Sequence, residues 1–242
     1  MFSIFKKEVN LFFSSVIAYL SMAIFFVVMA LNLWVFPGNI LESGYATLES
    51  FFLFAPWVLI FLIPALTMRL LSEEYNQGTL EIIATQSIKD IQIVLGKYFS
   101  ALFIWALTLL PTLIYFWCIT RLDVDAAPAD SGAIIGSYIG LFLLGAAFTA
   151  ISLFASAISK NQVTAFLIGV LLCYLFYNAF YQLSQLDAFI GKWDYIIQSI
   201  GMGAHYEALS RGVVDTRDLI YFLSLIMVFT LLSKISLESR KW

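Results

Sequence analysis

Residues 64–97 read PALTMRLLSEEYNQGTLEIIATQSIKDIQIVLGK, and this stretch separates two long hydrophobic parts of the chain. Its charged side chains are Arg69, Glu73, Glu74, Glu81, Lys89, Asp90 and Lys97. The flanking residues 50–68 and 98–120 contain no Asp, Glu, Lys or Arg. A charge-free run of about 20 residues is long enough to cross a bilayer as a helix. The pattern therefore predicts a polar connection between two membrane-spanning helices.

The composition places the rest of the chain in the membrane as well. Of the 242 residues, 62% are hydrophobic and 12% are charged, whereas soluble domains carry roughly 25% charged residues. Charge-free runs cover residues 9–41, 50–68, 98–120, 131–159 and 161–186, and a shorter run covers 219–233. We therefore expect an all-α membrane protein with six transmembrane helices, formed as a single domain over residues 1–242.

The basic residues predict the orientation of the chain, because cytoplasmic loops carry the excess of Lys and Arg. With a cytoplasmic N-terminus, the inner side holds Lys6, Lys7, Arg69, Lys89, Lys97, Lys160, Lys234, Arg240 and Lys241. The outer side then holds Arg121, Lys192, Arg211 and Arg217. We expect both termini in the cytoplasm. The formal net charge of −3 and the lack of a Lys/Arg cluster give no case for a nucleic-acid partner.

Two further parts of the chain predict helices that do not span. Phe2, Phe5, Val9 and Phe12 recur at intervals of three to four residues, which is typical of an amphipathic helix on a membrane surface. The alternative is a frayed start to the first spanning helix. Residues 184–217 are too polar to span and too long for a hairpin turn, and their apolar patches predict short helices at the outer interface.

The fourth predicted span carries Gly136, Gly140 and Gly145. Small residues at this spacing allow two helix backbones to approach closely. They could form the seam of a dimer, or they could pack against other helices of the same bundle. The sequence leaves both readings open.

The chain has no residues arranged for chemistry of its own. It has no G-x-x-x-x-G-K-[ST] motif, so it cannot build that kind of phosphate-binding loop. His205 is the sole histidine, and no second His or Cys lies near it in sequence. The spans also lack the mid-bilayer Asp, Glu, His or Arg that ion-coupled transporters use. We therefore expect no catalytic, cofactor or metal site, and any work must be powered from outside the chain.

Residues 64–81 follow the pattern P-x-L-T-M-R-x-x-x-E-E-x-x-x-G-T-x-E, and Gly96 and Lys97 come after it. This pattern resembles the signature of ABC-2 type transporter permeases. Further matching pieces are WVFPG at 34–38, APW at 55–57, residues 131–141 and residues 205–218. Together they are similar to the gliding-motility-associated permease subunits of that family, over nearly the whole chain.

The resemblance implies a half-transporter of the bacterial inner membrane that exports a substrate or supports gliding motility. A separate, GldA-like ABC ATPase subunit would bind the ATP. The second membrane subunit would be GldG-like or another copy of this chain. The family's coupling helix maps onto residues 73–85, and the N-terminal amphipathic helix would also touch the ATPase.

We expect the three glutamates of the polar connection to make the polar contacts with the ATPase, and its glycine and threonine to shape the tip of the connection. The arginine and lysine would anchor the connection where it leaves the membrane at either end. The residues expected in this coupling site are Arg69, Glu73, Glu74, Gly78, Thr79, Glu81 and Lys97. The rival reading is a non-transporting scaffold that anchors or regulates a partner. A membrane-embedded enzyme is a third reading, which lacks any cluster of catalytic groups.

Overall fold

The computed structural model describes residues 1–37, 39–40, 47–78, 89–122, 131–187, 189, 191, 193–212 and 215–239. Throughout these residues the regular structure is helical, with no strand, so the expected all-α class is confirmed. The helices are α1 (Phe2–Phe13), α2 (Val16–Trp34), α3 (Glu49–Thr67), α4 (Arg69–Asn76), α5 (Asp90–Leu109), α6 (Leu113–Leu122), α7 (Ser131–Ile158), α8 (Gln162–Tyr174), α9 (Phe180–Ser184), α10 (Asp194–Ile200), α11 (Met202–Ser210) and α12 (Thr216–Ser239).

Five helical stretches of the described residues are long and apolar enough to cross a membrane. They are Glu49–Asn76, Asp90–Arg121, Gly132–Ile158, Gln162–Ser184 and Thr216–Ser239. The number rises to six if Phe2–Phe13 and Ala18–Trp34 count as one span, bent by 66° between the two parts. At 1.5 Å per residue, the 19 residues of α2 extend about 28 Å, close to the thickness of the hydrocarbon core. We therefore treat α2 as the spanning part of this pair and α1 as the amphipathic helix that precedes it.

Two of the spans contain a turn that is not α-helical. Pro111 lies in a 3₁₀ turn, Leu110–Thr112, that joins α5 to α6. A proline lacks the N–H that would continue the α-helical ladder, which accounts for a break there. Between α8 and α9 the chain forms a π-helical turn, Leu175–Ala179.

Helix α7 is the centre of the bundle. It packs against α3, α4, α5, α8, α11 and α12, and it is the most buried of the five spans. Small side chains fill its buried face, which lets six neighbours approach one axis. The buried residues of this kind are Ala146, Ala147, Thr149, Ala150, Ser152, Ala155, Ser156 and Ala157.

The bundle has two ends that we name by their contents. At the basal end, α1, α4, the first turns of α5 and the last turns of α7 and α12 meet; for example, Ser236 of α12 donates to the carbonyl of Ala157. At the distal end, α10 and α11 cover the starts of α3, α7 and α12. There Tyr206 of α11 donates to the carbonyl of Phe52, at 2.7 Å. Ser137 of α7 donates to the carbonyl of Ser210, at 2.9 Å.

Candidate functional site

The two adjacent carboxylates of helix α4, Glu73 and Glu74, lie in different environments. Glu74 is buried, together with Leu70, Leu71 and Ser72, on the side that faces the bundle. Glu73 is only partly buried, and it accepts a hydrogen bond from the exposed amide of Gln77 at 3.1 Å. Neighbouring residues of a helix point about 100° apart, so one glutamate faces inward while the next stays available to solvent.

Glu74 belongs to a buried ion cluster that joins three helices. Lys97 of α5 is fully buried, and its Nζ lies 2.9 Å from Glu74 of α4 and 2.8 Å from Glu8 of α1. The same Nζ donates to the carbonyl of Leu70 at 2.6 Å. The ammonium group of Lys97 donates hydrogen bonds to Glu8 and to the Leu70 carbonyl, and the carboxylate of Glu74 lies within ion-pair distance of the same nitrogen. These contacts compensate for the burial of a lysine side chain.

Lys7 completes the cluster at its exposed edge. Its Nζ lies 2.9 Å from Glu74 and 3.5 Å from Glu8. Burial lowers the pKa of Lys7, but the hydrogen bond and charge of Glu74, and then the charge of Glu8, outweigh it and raise the pKa above its ordinary value. Two lysines and two glutamates make the cluster neutral, so α1 is held to α4 and α5 without excess buried charge.

Arg69 fastens the turn between α1 and α2 to the start of α4. Its guanidinium donates to the hydroxyl of Ser15 at 2.9 Å and to the carbonyl of Leu11 at 3.5 Å. It also lies over the ring of Phe12, 5.5 Å from the ring centre. The amphipathic helix is thus bound to α4 at its middle, through Lys7, and at its C-terminal end, through Arg69.

Ser156 of α7 holds α4 from the opposite side. Its hydroxyl accepts hydrogen bonds from the backbone N–H groups of Leu71 and Ser72, both at 3.1 Å, and donates to the carbonyl of Met68 at 2.8 Å. The break between α3 and α4 at Met68 leaves backbone groups without partners in a helix. Ser156 could not be identified from the sequence, because a serine in an apolar span gives no signal of which helix end it will cap.

Gly96 lets α1 lie directly on α5. A Cβ at Gly96 would come within 3.1 Å of Ile4 and 3.2 Å of the carbonyl oxygen of Met1. The Gly96–Lys97 pair of the sequence pattern therefore has a local explanation. The glycine admits α1, and the lysine next to it ties α1 down.

The connection between the spans is shorter than the charge pattern predicted. We expected the third span to begin near Tyr98, but α5 begins at Asp90, so Lys97 lies two turns inside a helix. Gly78 follows α4 with a φ of +67°, a left-handed conformation that suits glycine and turns the chain. Thr79 and Glu81 lie outside the described residues, and so does most of the stretch 73–85.

The three glycines of α7 are enclosed by their own chain. A Cβ at Gly136 would lie 2.8 Å from the Cα of Gly212, and one at Gly140 would lie 2.9 Å from the Cβ of Leu209 on α11. At Gly145 it would lie 2.2 Å from the indole nitrogen of Trp105 on α5. These contacts account for the glycines by packing within the bundle. A role in a dimer remains a prediction.

The charged groups at the basal end join helices to one another. Among the described residues no group of three or more His, Cys, Asp or Glu could hold a metal ion. The charged groups of the basal cluster are paired with one another, which suits holding helices in place. Of the predicted coupling residues, the structure brings Arg69, Glu74 and Lys97 together around α1 and leaves Glu73 at the surface.

Comparison with known proteins agrees with this picture of a helical membrane component. Residues 39–234 match the family described as ABC-2 family transporter protein. The matched region includes α3 to α11 and most of α12, and it begins after α1 and α2. No curated protein matches the chain. Since the match covers well over half of the 242 residues, the chain belongs to the ABC-2 family of transporter proteins, as a membrane-spanning component and not the ATPase.

Proposed function

We propose that this chain is the permease subunit of an ABC exporter and that a separate ATPase subunit docks at its basal end. Membership of the ABC-2 family supports the transporter role. The observation that carries the docking proposal is the three-sided attachment of α4, to α1 and α5 through the ion cluster and to α7 through Ser156. In this proposal the basal end faces the cytoplasm, as the distribution of basic residues predicts.

Because α4 is attached to α1, α5 and α7, a displacement of α4 would be transmitted to helices of the bundle. Moving α4 requires moving α1, α5 and α7 with it, or breaking buried ion pairs. Breaking a buried pair by removing one partner costs about 3–5 kcal/mol. Driving a two-state switch from 1:99 to 99:1 takes about 5.5 kcal/mol of differential binding. Because α4 is held by several buried contacts at once, the ATPase would shift whole helices before it detached α4.

The assignment to a gliding-motility complex rests on the sequence pattern. The segments at 34–38, 55–57, 131–141 and 205–218 are similar to GldF, the gliding-motility-associated permease. On this basis the ATPase would be GldA-like, and the second membrane subunit would be GldG-like or a second copy of this chain. The complex would lie in the bacterial inner membrane and support gliding motility or the export that serves it.

Substitutions of Glu73 and Glu74, adjacent on α4, can distinguish an effect on ATPase docking from an effect on the stability of the bundle. Glu73→Lys reverses a charge on the partly exposed side, so we expect ATPase binding and stimulation to fall about tenfold, as for a lost charge contact at an interface rim. The unfolding temperature should stay unchanged. Glu74→Lys would place a third cation beside Lys7 and Lys97, so it should lower both stimulation and stability.

The matched control is Glu238→Lys. Glu238 also lies at the basal end, in α12, and pairs with Lys234 at 3.2 Å. It should retain full ATPase stimulation. Binding of the ATPase without any change of hydrolysis rate in wild type would favour the scaffold reading. Full stimulation by the Glu73→Lys variant would count against docking through this face of α4.

A further inference from the structure

The distal end contains the sole histidine of the chain in an unusual setting. The Nδ1 of His205, on α11, lies 2.6 Å from Oδ1 of Asp218, whose side chain is buried in the first turn of α12. Its Nε2 lies 2.9 Å from the carbonyl oxygen of Ser199 on α10. The imidazole also stacks on the ring of Tyr221, with 3.9 Å between centres and 20° between planes. One ring therefore touches α10 and α12 from α11.

Both contacts of the ring are to groups that accept hydrogen bonds. The carbonyl of Ser199 can only accept, and an ionised Asp218 can only accept. A neutral imidazole has one N–H, so it can satisfy one of these contacts and leaves the other with two facing lone pairs. A pair made of a neutral histidine and an ionised aspartate therefore needs one additional proton to satisfy both contacts.

We propose that His205 and Asp218 form a proton-binding site that closes the distal end of the bundle. The bound proton makes His205 an imidazolium that donates to both Asp218 and Ser199. This site rests on the geometry alone and not on the transport function proposed above.

The other charged groups on these helices do not substitute for the proton. Glu207 and Arg211 pair with each other at 2.9 Å on the exposed side of α11. Asp215 accepts from the backbone N–H of Arg217 and from the hydroxyl of Thr216. Among the described residues, no hydrogen bond or ion pair joins the ring to Asp194 of α10 or to the side chain of Arg217 of α12. The tyrosine of α12 that faces the ring, Tyr221, donates its hydroxyl proton to the carbonyl of Ile200.

The position of the site gives the proton a structural effect. Helix α11 is seated against Gly136 and Gly140 of α7, and a Cβ at Gly203 would lie 2.7 Å from the carbonyl oxygen of Tyr177 in the π-helical turn. Loss of the proton leaves an acceptor without a donor between α10, α11 and α12. The short distal helices should therefore be held firmly at low pH and loosen as the proton leaves with rising pH.

A single histidine makes the test direct. The protein is labelled with ¹⁵N-histidine in nanodiscs, and the ring nitrogen shifts of wild type and of Asp218→Asn are followed against pH. Asparagine is nearly isosteric and can donate an N–H to Nδ1, so it removes the need for the second proton. We expect the imidazolium to persist to higher pH in wild type, with midpoints separated by about one pH unit or more, which is about tenfold in proton affinity.

A second measurement covers the case in which Asp218→Asn folds poorly. The wild-type midpoint is compared with that of a blocked histidine peptide in the same buffer, and it should lie higher. Backbone hydrogen exchange of residues 194–210, corrected for its intrinsic pH dependence and compared with α7, should rise across the same midpoint. Equal midpoints in wild type and variant, or a wild-type midpoint at or below that of the peptide, would overturn the proposal.

Discussion

The two ends of the bundle are held together by different interactions. At the basal end, Lys7, Glu8, Glu74 and Lys97 join three helices through charge. At the distal end, α11 is attached by hydroxyl donors to backbone carbonyls, by close glycine contacts and by one histidine. Separating helices at the basal end requires breaking buried ion pairs, which is costly. The distal contacts are hydrogen bonds and close van der Waals contacts that depend on how the helix surfaces fit together. The basal end is therefore suited to transmitting force, and the distal end to opening.

The largest expected effect comes from the buried lysine. Lys97 is 1% exposed, so Lys97→Met leaves Glu8 and Glu74 with much less compensation in a buried site. We expect a loss of about 3–5 kcal/mol in the free energy of unfolding. Steric-trapping or denaturant unfolding in a defined detergent would measure it. A loss below about 1 kcal/mol would contradict the account of the basal end.

The matched control is Lys7→Met, which removes the other cation of the same cluster. The side chain of Lys7 is 54% exposed, and solvent screens such pairs, so its loss should be far smaller. The triple variant Glu8→Gln, Glu74→Gln, Lys97→Met should recover part of the stability lost by Lys97→Met, because no unpaired buried charge remains.

The distal end should respond to added volume. Gly136→Ala and Gly140→Ala place a Cβ within 3 Å of Gly212 or Leu209, and overpacking of this kind costs about 1–3 kcal/mol. Gly169→Ala is the control, since its Cβ would meet Pro64 at 3.1 Å and a small shift relieves it. Unfolding temperature and oligomeric state are measured together. Loss of a dimer at unchanged stability would show that these glycines form a seam between chains.

A smaller loss is expected from Arg69→Lys at the basal end. An ammonium carries the same charge but cannot reach Ser15 and the carbonyl of Leu11 together as the guanidinium fork does. Loss of a hydrogen bond of this type costs about 0.5–1.5 kcal/mol. The labelling rate of a cysteine placed at position 14, where Ser14 is exposed, should rise as the turn between α1 and α2 loosens. An unchanged labelling rate and unchanged stability would show that Arg69 does not hold this turn to α4.

The smallest effects concern pH. The raised pKa of Lys7 means that its contribution is complete below 10.5 and disappears as pH rises beyond that value. The backbone N–H of Arg217 lowers the pKa of Asp215 below 3.8, against the opposing effect of desolvation, so its contribution is lost only as pH falls past that value. Neither group should give a stability step between about pH 5 and pH 9. A step in that range that vanishes in Lys7→Met or Asp215→Asn would contradict these signs.

The sequence predicted the fold well because charge-free runs report directly on burial in lipid. It predicted an amphipathic helix through Phe2, Phe5, Val9 and Phe12 and short helices between the last two spans, and the structure has both. It could not predict the start of α5 at Asp90. A charged lysine normally ends a span, and only the arrival of Glu8 and Glu74 from distant parts of the chain lets Lys97 be buried in one.

The candidate site was predictable as a region but not in its internal arrangement. The pattern from Arg69 to Glu81 indicated the polar connection, yet nothing in it distinguishes the inward Glu74 from the outward Glu73. That distinction depends on the rotation of α4 against α7, which Ser156 fixes. The partners of His205 were equally hidden, because Ser199 and Asp218 are brought together by the packing of three short segments.

The orientation of the bundle is the claim on which the account depends most. In a variant without Cys118 and Cys173, single cysteines replace Gln77, which is exposed at the basal end, and Tyr195, which is exposed at the distal end. A membrane-impermeant maleimide is added to intact cells and then to permeabilised cells. If the basal end is cytoplasmic, the cysteine at 195 is labelled in intact cells and the cysteine at 77 only after permeabilisation. Labelling of position 77 in intact cells would place α4 away from the ATP of the cytoplasm and rule out docking of an ATPase on α4.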